Sequence, residues 1–328
     1  MPIASFAIPS DTRAADRYAR FHSAHPMLGY GDVHDSTLAQ QSRADPLWGI
    51  ACKGDESVFP HDVLEMFLAV RDGNRHMFSS IESQDHLQIK SWNKSSPEGH
   101  AQGGGVMSVH RAETLEKAAV NSSVVWGDAY PSIEKNYAGK PYAAGGVSLI
   151  CHPRNPNAPI AHMNIRILRV GEGDDAVTWI GGGADLTPMV RFEEDTRDFH
   201  EALRGVCERN QHGDYDKFKK WCDEYFYIPH RGDTRGVGGI FFDYVHIART
   251  SECALLLDLA QTFTRIYGEI LARRVEMPYD DELKDRQLHW RGRYAEFNLV
   301  YDRGTRFGLL SGGNTEAILA SLPPVVKW

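Results

Sequence analysis

Residues Ser148 to Arg166 read SLICHPRNPNAPIAHMNIR, two short β-type runs joined by a turn rich in proline and asparagine. Side chains alternate faces along a strand with period two. In the second run His162, Asn164 and Arg166 therefore share one face, and Met163, Ile165 and Ile167 share the other. In the first run Ser148 and His152 are in phase, with Leu149 and Cys151 opposed. Paired as a hairpin, the runs give a sheet with one apolar face and one carrying imidazole, amide, hydroxyl and guanidinium. That set suits acid–base chemistry beside a bound anion, which a merely solvated face would not need.

Working outward, a third strand, AVTWIGGG, follows the turn GEGDD, so Gly145 to Gly183 reads as a three-stranded meander. Upstream, Pro60 to Gly73 has the stripe Val63, Phe67, Val70 of a helix that Gly73 would stop, and the glycine-rich segment Gly99 to Gly105 leads into the strand VMSVH. Downstream, helices are expected over Phe192–Arg209, Asp214–Tyr225 and Glu252–Arg274, with the strand GVGGIFFDYV between the second and third. RYAEFNLVYDRGTRFGLLSGG reads as a hairpin turning at Asp302 to Thr305, and NTEAILASLPP as a short helix capped by Asn314 or Thr315. Residues 1–55 carry turn formers and no sustained period, an irregular arm before a single domain over 56–328. The fold class expected is α+β, a mostly antiparallel sheet covered by helices.

The 328 residues carry a net charge of −8 and are 42% hydrophobic. That supports a buried core and argues against nonspecific nucleic-acid binding, which needs a clustered positive field. Five scattered cysteines point to free thiols in a reducing compartment and against closely spaced thiolate sites for zinc or iron–sulfur clusters. No apolar run is long enough to span a bilayer, and no secretory signal core opens the chain. The cytoplasm is the expected location, with a mitochondrial transit peptide the weaker alternative.

His152, His162, His200 and His230 stand in polar-rich segments. A lone histidine is usually a surface or satisfied core residue, but two in phase on neighbouring strands favour a functional role for His162. Four imidazoles could bind a metal, although their spacing matches no tight ligand signature. GGGADLTP, Gly181 to Pro188, is either a tight turn capped by Asp185 or an aspartate at the rim of a pocket with a glycine floor. HRGDTRGVGG puts Arg231 and Arg235 on a flexible loop, either solvated or gripping carboxylates.

GVSLICHP, HMNIRIL, GGGADLTP, the FEED run ending in His200, WCDEYFYIPHRGDTRGVGGIFFD and RGRYAEFNLVYDRGTRFGL occur together and in order. Over residues 60–328 the chain resembles the oxygen-dependent coproporphyrinogen III oxidases of heme biosynthesis. The resemblance implies a sheet of about seven strands between two helical layers, and oxidative decarboxylation of two propionates to vinyl groups. Molecular oxygen would be the co-substrate, with no cofactor required and a divalent metal an open possibility. It implies a homodimer formed through roughly 294–328. By position, His162 matches the proton donor, Asp185 an aspartate facing pyrrole N–H groups, and Arg231 and Arg235 the arginines holding propionates, Arg235 as part of the catalytic set. Ser148, Asn164, Arg166, Gly312 and Gly313 match substrate contacts, as does Asn314, where relatives often carry arginine. His152, His162, His200 and His230 match histidines treated as metal ligands in some members. The rivals to this reading are a histidine-bound metal oxygenase or hydrolase and a non-catalytic tetrapyrrole-binding protein.

Overall fold

The structure, a computed structural model, describes residues 45–328 apart from 54–55, 83–85, 131–135 and 311. Most of the expected N-terminal arm lies outside these residues. What is described of it is not irregular: α1 (Pro46–Ile50) is capped by Asp45, and a two-residue ribbon pairs Cys52–Lys53 with Glu56–Ser57. Asp45 also makes a paired contact with Arg71, at 2.9 and 2.7 Å, which ties this segment to the body.

The centre is a seven-stranded, wholly antiparallel sheet: β1 (His86–Ser95), β2 (Ala101–Arg111), β3 (Leu115–Gly127), β4 (Tyr142–Pro153), β5 (Ile160–Val170), β6 (Val177–Thr187) and β7 (Gly238–Ile247). Each strand pairs with its neighbours in sequence, so the order across the sheet is the order along the chain. The alternation read in HMNIRIL holds: Met163, Ile165 and Ile167 are buried to 2% exposure or less, while His162, Asn164 and Arg166 are half-buried on the opposite face.

The apolar face is covered by α2 (His61–Ile81) and α5 (Ala254–Arg274), with α3 (Glu193–Arg209) packed against α5. Phe67, Val70, Met163, Ile165, Leu259 and Phe263 belong to one continuous core here. Full burial of each such side chain contributes about 1.5–3 kcal/mol. α2 runs eight residues past the expected stop at Gly73. Met77, Phe78 and Ile81 prolong its apolar stripe, and their burial outweighs the roughly 1 kcal/mol that a mid-helix glycine costs.

Helix α4 (Tyr215–Tyr225) lies over the edge strand β7 and touches both of its faces. Phe218 stacks on Phe242 on the apolar side, and Tyr225 stacks on Phe241 on the other. Covering an edge strand with a helix is one way in which a sheet blunts its open edge.

The expected hairpin at 293–313 is not formed. The chain instead continues through α6 (Asp281–Glu296), a π-helical turn at Phe297–Tyr301, α7 (Arg303–Leu310) and α8 (Thr315–Leu319). α6 starts at the side-chain cap of Asp280 and buries Gln287, Arg291, Tyr294 and, one turn on, Asn298. This stripe has helical spacing but is polar, so a search for hydrophobic period passes over it. Asn314 caps α8 by accepting from Ala317 N at 2.9 Å, as expected. All five cysteines are free. Among the described residues no helix is long and apolar enough to cross a membrane.

Candidate active site

The polar face of the sheet forms the floor of a cavity of about 530 Å³, roofed by residues from Tyr294 to Ser321. Residues directly opposite each other in antiparallel strands share a face. The register places His162 opposite Asp185, Asn164 opposite Ser148 and Gly183, and Arg166 opposite Gly146 and Gly181. The sheet thereby assembles one polar surface from β4, β5 and β6.

His162 Nδ1 lies 2.9 Å from Asp185 Oδ1, and Arg235 Nη2 lies 2.7 Å from Asp185 Oδ2. Asp185 is 1% exposed and Arg235 4%. Burial alone would raise the Asp185 carboxyl, but the Arg235 charge and the His162 hydrogen bond outweigh it and hold the acid below its ordinary range. An ionised carboxylate only accepts, so His162 donates through Nδ1 and leaves Nε2 as the nitrogen available to a ligand.

Arg235 arrives on the loop between α4 and β7. At Gly236, with φ +74°, an added Cβ would come within 2.2 Å of the Leu186 carbonyl oxygen, so only glycine lets this loop run against β6. The guanidinium then lies 4.0 Å from the centre of the Phe226 ring and 4.3 Å from that of Tyr294, and donates to Asn298 Oδ1 at 2.8 Å. Burial opposes its charge, but Asp185 keeps Arg235 firmly protonated.

Arg166 is held by Asp243 at 2.7 Å and by Asn164 Oδ1 at 2.8 Å. The register between β6 and β7 shifts between Phe242 and Val245, and Tyr244 within this bulge has φ +51°. A bulge re-aims the side chains it carries. Here Asp243 meets Arg166 over Gly181, where an added Cβ would sit 2.6 Å from Asp243 Oδ1. A second acid, the half-buried Asp302, accepts from Tyr225 Oη at 2.6 Å, Thr305 Oγ1 at 2.7 Å and Thr305 N at 2.8 Å. Burial raises its carboxyl, and these bonds more than reverse that, so it too is held below the ordinary range.

The structure brings His162, Asp185, Arg235, Ser148, Asn164, Arg166, Gly313 and Asn314 to the one cavity. It does not bring Arg231 there. Arg231 sits on the surface, paired with Glu296 through Nε at 2.9 Å. Gly312, at φ +71°, is an exposed turn residue beside the cavity wall rather than part of it. The Asn314 side chain is engaged in capping α8, which is a different use from the charge contact an arginine would make.

The four histidines are not brought together. His152 is fully buried against the Ser321 carbonyl, and His200 lies between Tyr215 Oη and the Val237 carbonyl. His230 lies between Tyr301 Oη and Glu296, and only His162 of the four lines the cavity. Among the described residues no three His, Cys, Asp or Glu side chains are grouped as a metal would require.

Asp302, Tyr225, Asp243, Asn298, Tyr294 and Lys94 also line the cavity and were not singled out in the sequence. The signal for Tyr294 and Asn298 was the polar stripe of α6. Asp243 depends on a bulge that no local pattern announces.

The sequence pattern of the coproporphyrinogen III oxidase family matches residues 63–328. The oxygen-dependent coproporphyrinogen-III oxidase of Francisella tularensis subsp. tularensis (strain FSC 198) is 46% identical over 231 residues, covering 69% of this chain and 75% of the relative. That of Francisella philomiragia subsp. philomiragia is 45% identical over 262 residues, covering 76% and 85%.

Proposed function

Because the chain belongs to the coproporphyrinogen III oxidase family, we propose that it catalyses the oxygen-dependent conversion of coproporphyrinogen III to protoporphyrinogen IX. In each of two rounds a –CH2CH2COOH arm and O2 become a vinyl group, CO2 and H2O2, which balances without a further reductant. The observation that carries the reading is the His162–Asp185–Arg235 chain on the floor of a cavity whose volume suits one large, flat ligand.

A porphyrinogen is electron-rich and reacts with O2 once a pyrrole N–H is weakened. Asp185 is held ionised, and each of its oxygens keeps a lone pair beyond the one bond it makes, so it can accept from pyrrole N–H groups. Its depressed pKa makes it a fixed negative charge for those N–H groups rather than the final resting place of a proton. His162, bonded to it through Nδ1, is the group that carries a proton through Nε2. Arg166 is positioned by Asp243 and Asn164, so it meets a propionate with its orientation already set. Coproporphyrinogen III and O2 are thus the partners, and turnover is proposed to need no metal.

A homodimer through 294–328 is part of the reading. Leu299, Val300, Leu310, Val325 and Trp328 in that segment are each at least half exposed, an apolar surface of the kind a second copy covers. Four buried free thiols support a reducing compartment, for which the cytoplasm is proposed.

The test is a paired incubation of purified, chelator-treated protein with coproporphyrinogen III, in air and under argon, with products separated. Protoporphyrinogen IX formed in air alone is expected. No product in air, restored by one added metal, would replace this reading with a metal oxygenase. Bound porphyrin with no product under any addition would leave a binding protein.

A further inference from the structure

The chemistry proposed above uses His162 and leaves His152 without a role. His152 stands near the end of β4, fully buried, with Nε2 2.9 Å from the Ser321 carbonyl oxygen. A carbonyl only accepts, so the ring carries its proton on Nε2. Its cross-strand neighbour Lys117 donates to the next carbonyl, Leu322 O, at 2.8 Å. Farther along β3, Asn121 donates to Ala317 O at 2.8 Å. Three side chains of the sheet thus fasten residues 317–322, part of the cavity roof, by their backbone.

The same imidazole meets the Tyr294 ring edge-on, with ring centres 5.3 Å apart and planes at 87°. Tyr294 covers the Arg235 guanidinium at 4.3 Å, and Arg235 grips Asp185 at 2.7 Å. A continuous series of contacts therefore runs from His152 through Tyr294 and Arg235 to Asp185 and His162. Burial, reinforced by Arg291, Lys117 and Arg235, keeps the imidazole neutral, and the same cations oppose a metal ion at its free Nδ1.

We propose that His152 is a positioning residue: a hydrogen-bond donor that holds Ser321 and the Tyr294 ring so that Arg235 stays aligned on Asp185. The inference rests on the function proposed above, and it assigns His152 to the alignment of the site in place of metal ligation.

The experiment compares His152→Gln, His152→Leu, Tyr294→Phe, Tyr294→Leu and the His152→Leu/Tyr294→Leu double variant with the wild-type chain, on coproporphyrinogen III in air. Glutamine keeps a donor near the Nε2 position and phenylalanine keeps the ring. His152→Gln and Tyr294→Phe should keep kcat within about threefold of wild type. His152→Leu and Tyr294→Leu should each lower kcat about tenfold with KM within twofold, and the double variant should be no worse than either alone. His152→Gln falling as far as His152→Leu, or the two leucine losses multiplying, would overturn the proposal. Should His152→Leu fail to fold, the remaining variants decide it: Tyr294→Phe falling as far as Tyr294→Leu, or His152→Gln falling about tenfold below wild type, overturns the proposal. Absence of turnover in the wild-type chain would instead overturn the proposed function, and this inference with it.

Discussion

His162 and Met163 are chain neighbours with opposite tasks, and the two faces of β5 continue that difference across the whole sheet. On one side Met163, Ile165 and Ile167 are sealed by α2 and α5 and make a dry core. On the other, His162, Asn164 and Arg166 stand over a cavity in which Asp185 is opposed by Arg235 and Arg166 by Asp243. The dry face is held by close-packed apolar area, which makes no directional demand. The wet face is held by directed bonds, each of which needs its own partner. Stability should therefore draw on both faces, and activity on the second alone.

The most severe way to break this division is Asp185→Ala. It removes the proposed N–H acceptor and strands Arg235 in a buried site without its counter-charge. Turnover should fall about 10³-fold or more, and stability should drop by about 3–5 kcal/mol. Steady-state kinetics and urea unfolding of the same preparation check both. Activity within tenfold of wild type would remove Asp185 from the mechanism. Ile165→Ala tests the opposite face. It should cost about 2–5 kcal/mol in urea unfolding while kcat of the folded protein at low temperature stays within twofold. A kcat loss as large as the stability loss would show that the faces are not separable at this strand.

The mildest test is Asp45→Asn, on the covered side and far from the cavity. Burial raises the Asp45 carboxyl, but its bonds to Arg71 and the Leu47 amide leave it below the ordinary value. A depressed folded pKa gives stability that is present above the unfolded value, near 3.9, and is lost as pH falls through the folded one. At neutral pH the substitution should cost about 1–2 kcal/mol, limited by Asp72, which stays on Arg71. The gap between variant and wild type should close below about pH 4 in unfolding curves taken across pH. A gap that persists in acid would mean the pair stabilises by packing and not by charge.

The strands were legible where burial alternates, because period two records which face meets the core. His162 was therefore found from pattern and from resemblance alike, whereas Asp185, which the pattern left between a tight turn and a pocket rim, was given its role by the resemblance. The expected hairpin over 293–313 took in only the end of α6, and most of that helix carried no assignment, because the buried stripe that runs through α6 and the π-turn, Gln287, Arg291, Tyr294 and Asn298, is polar. Its burial is compensated by hydrogen bonds such as Gln287 to the Pro153 carbonyl at 3.1 Å, not by hydrophobicity. Arg231 and Arg235 were indistinguishable in sequence, both basic and on one glycine-punctuated loop. Only the path of that loop at Gly236 sends one inward and leaves the other on Glu296. The bulge that aims Asp243 depends on β7 meeting β6, a contact between segments far apart along the chain.

The grip of α4 on β7 has a mechanical corollary. Phe218 on Phe242 at 4.8 Å and Tyr225 on Phe241 at 4.4 Å act at opposite ends of one short lever. β7 cannot roll about its own axis without unstacking both rings. Because Tyr225 also donates to Asp302, the cavity roof is tied to this lever, and a ligand that displaces that acid either breaks the bond or pulls on the Tyr225–Phe241 stack.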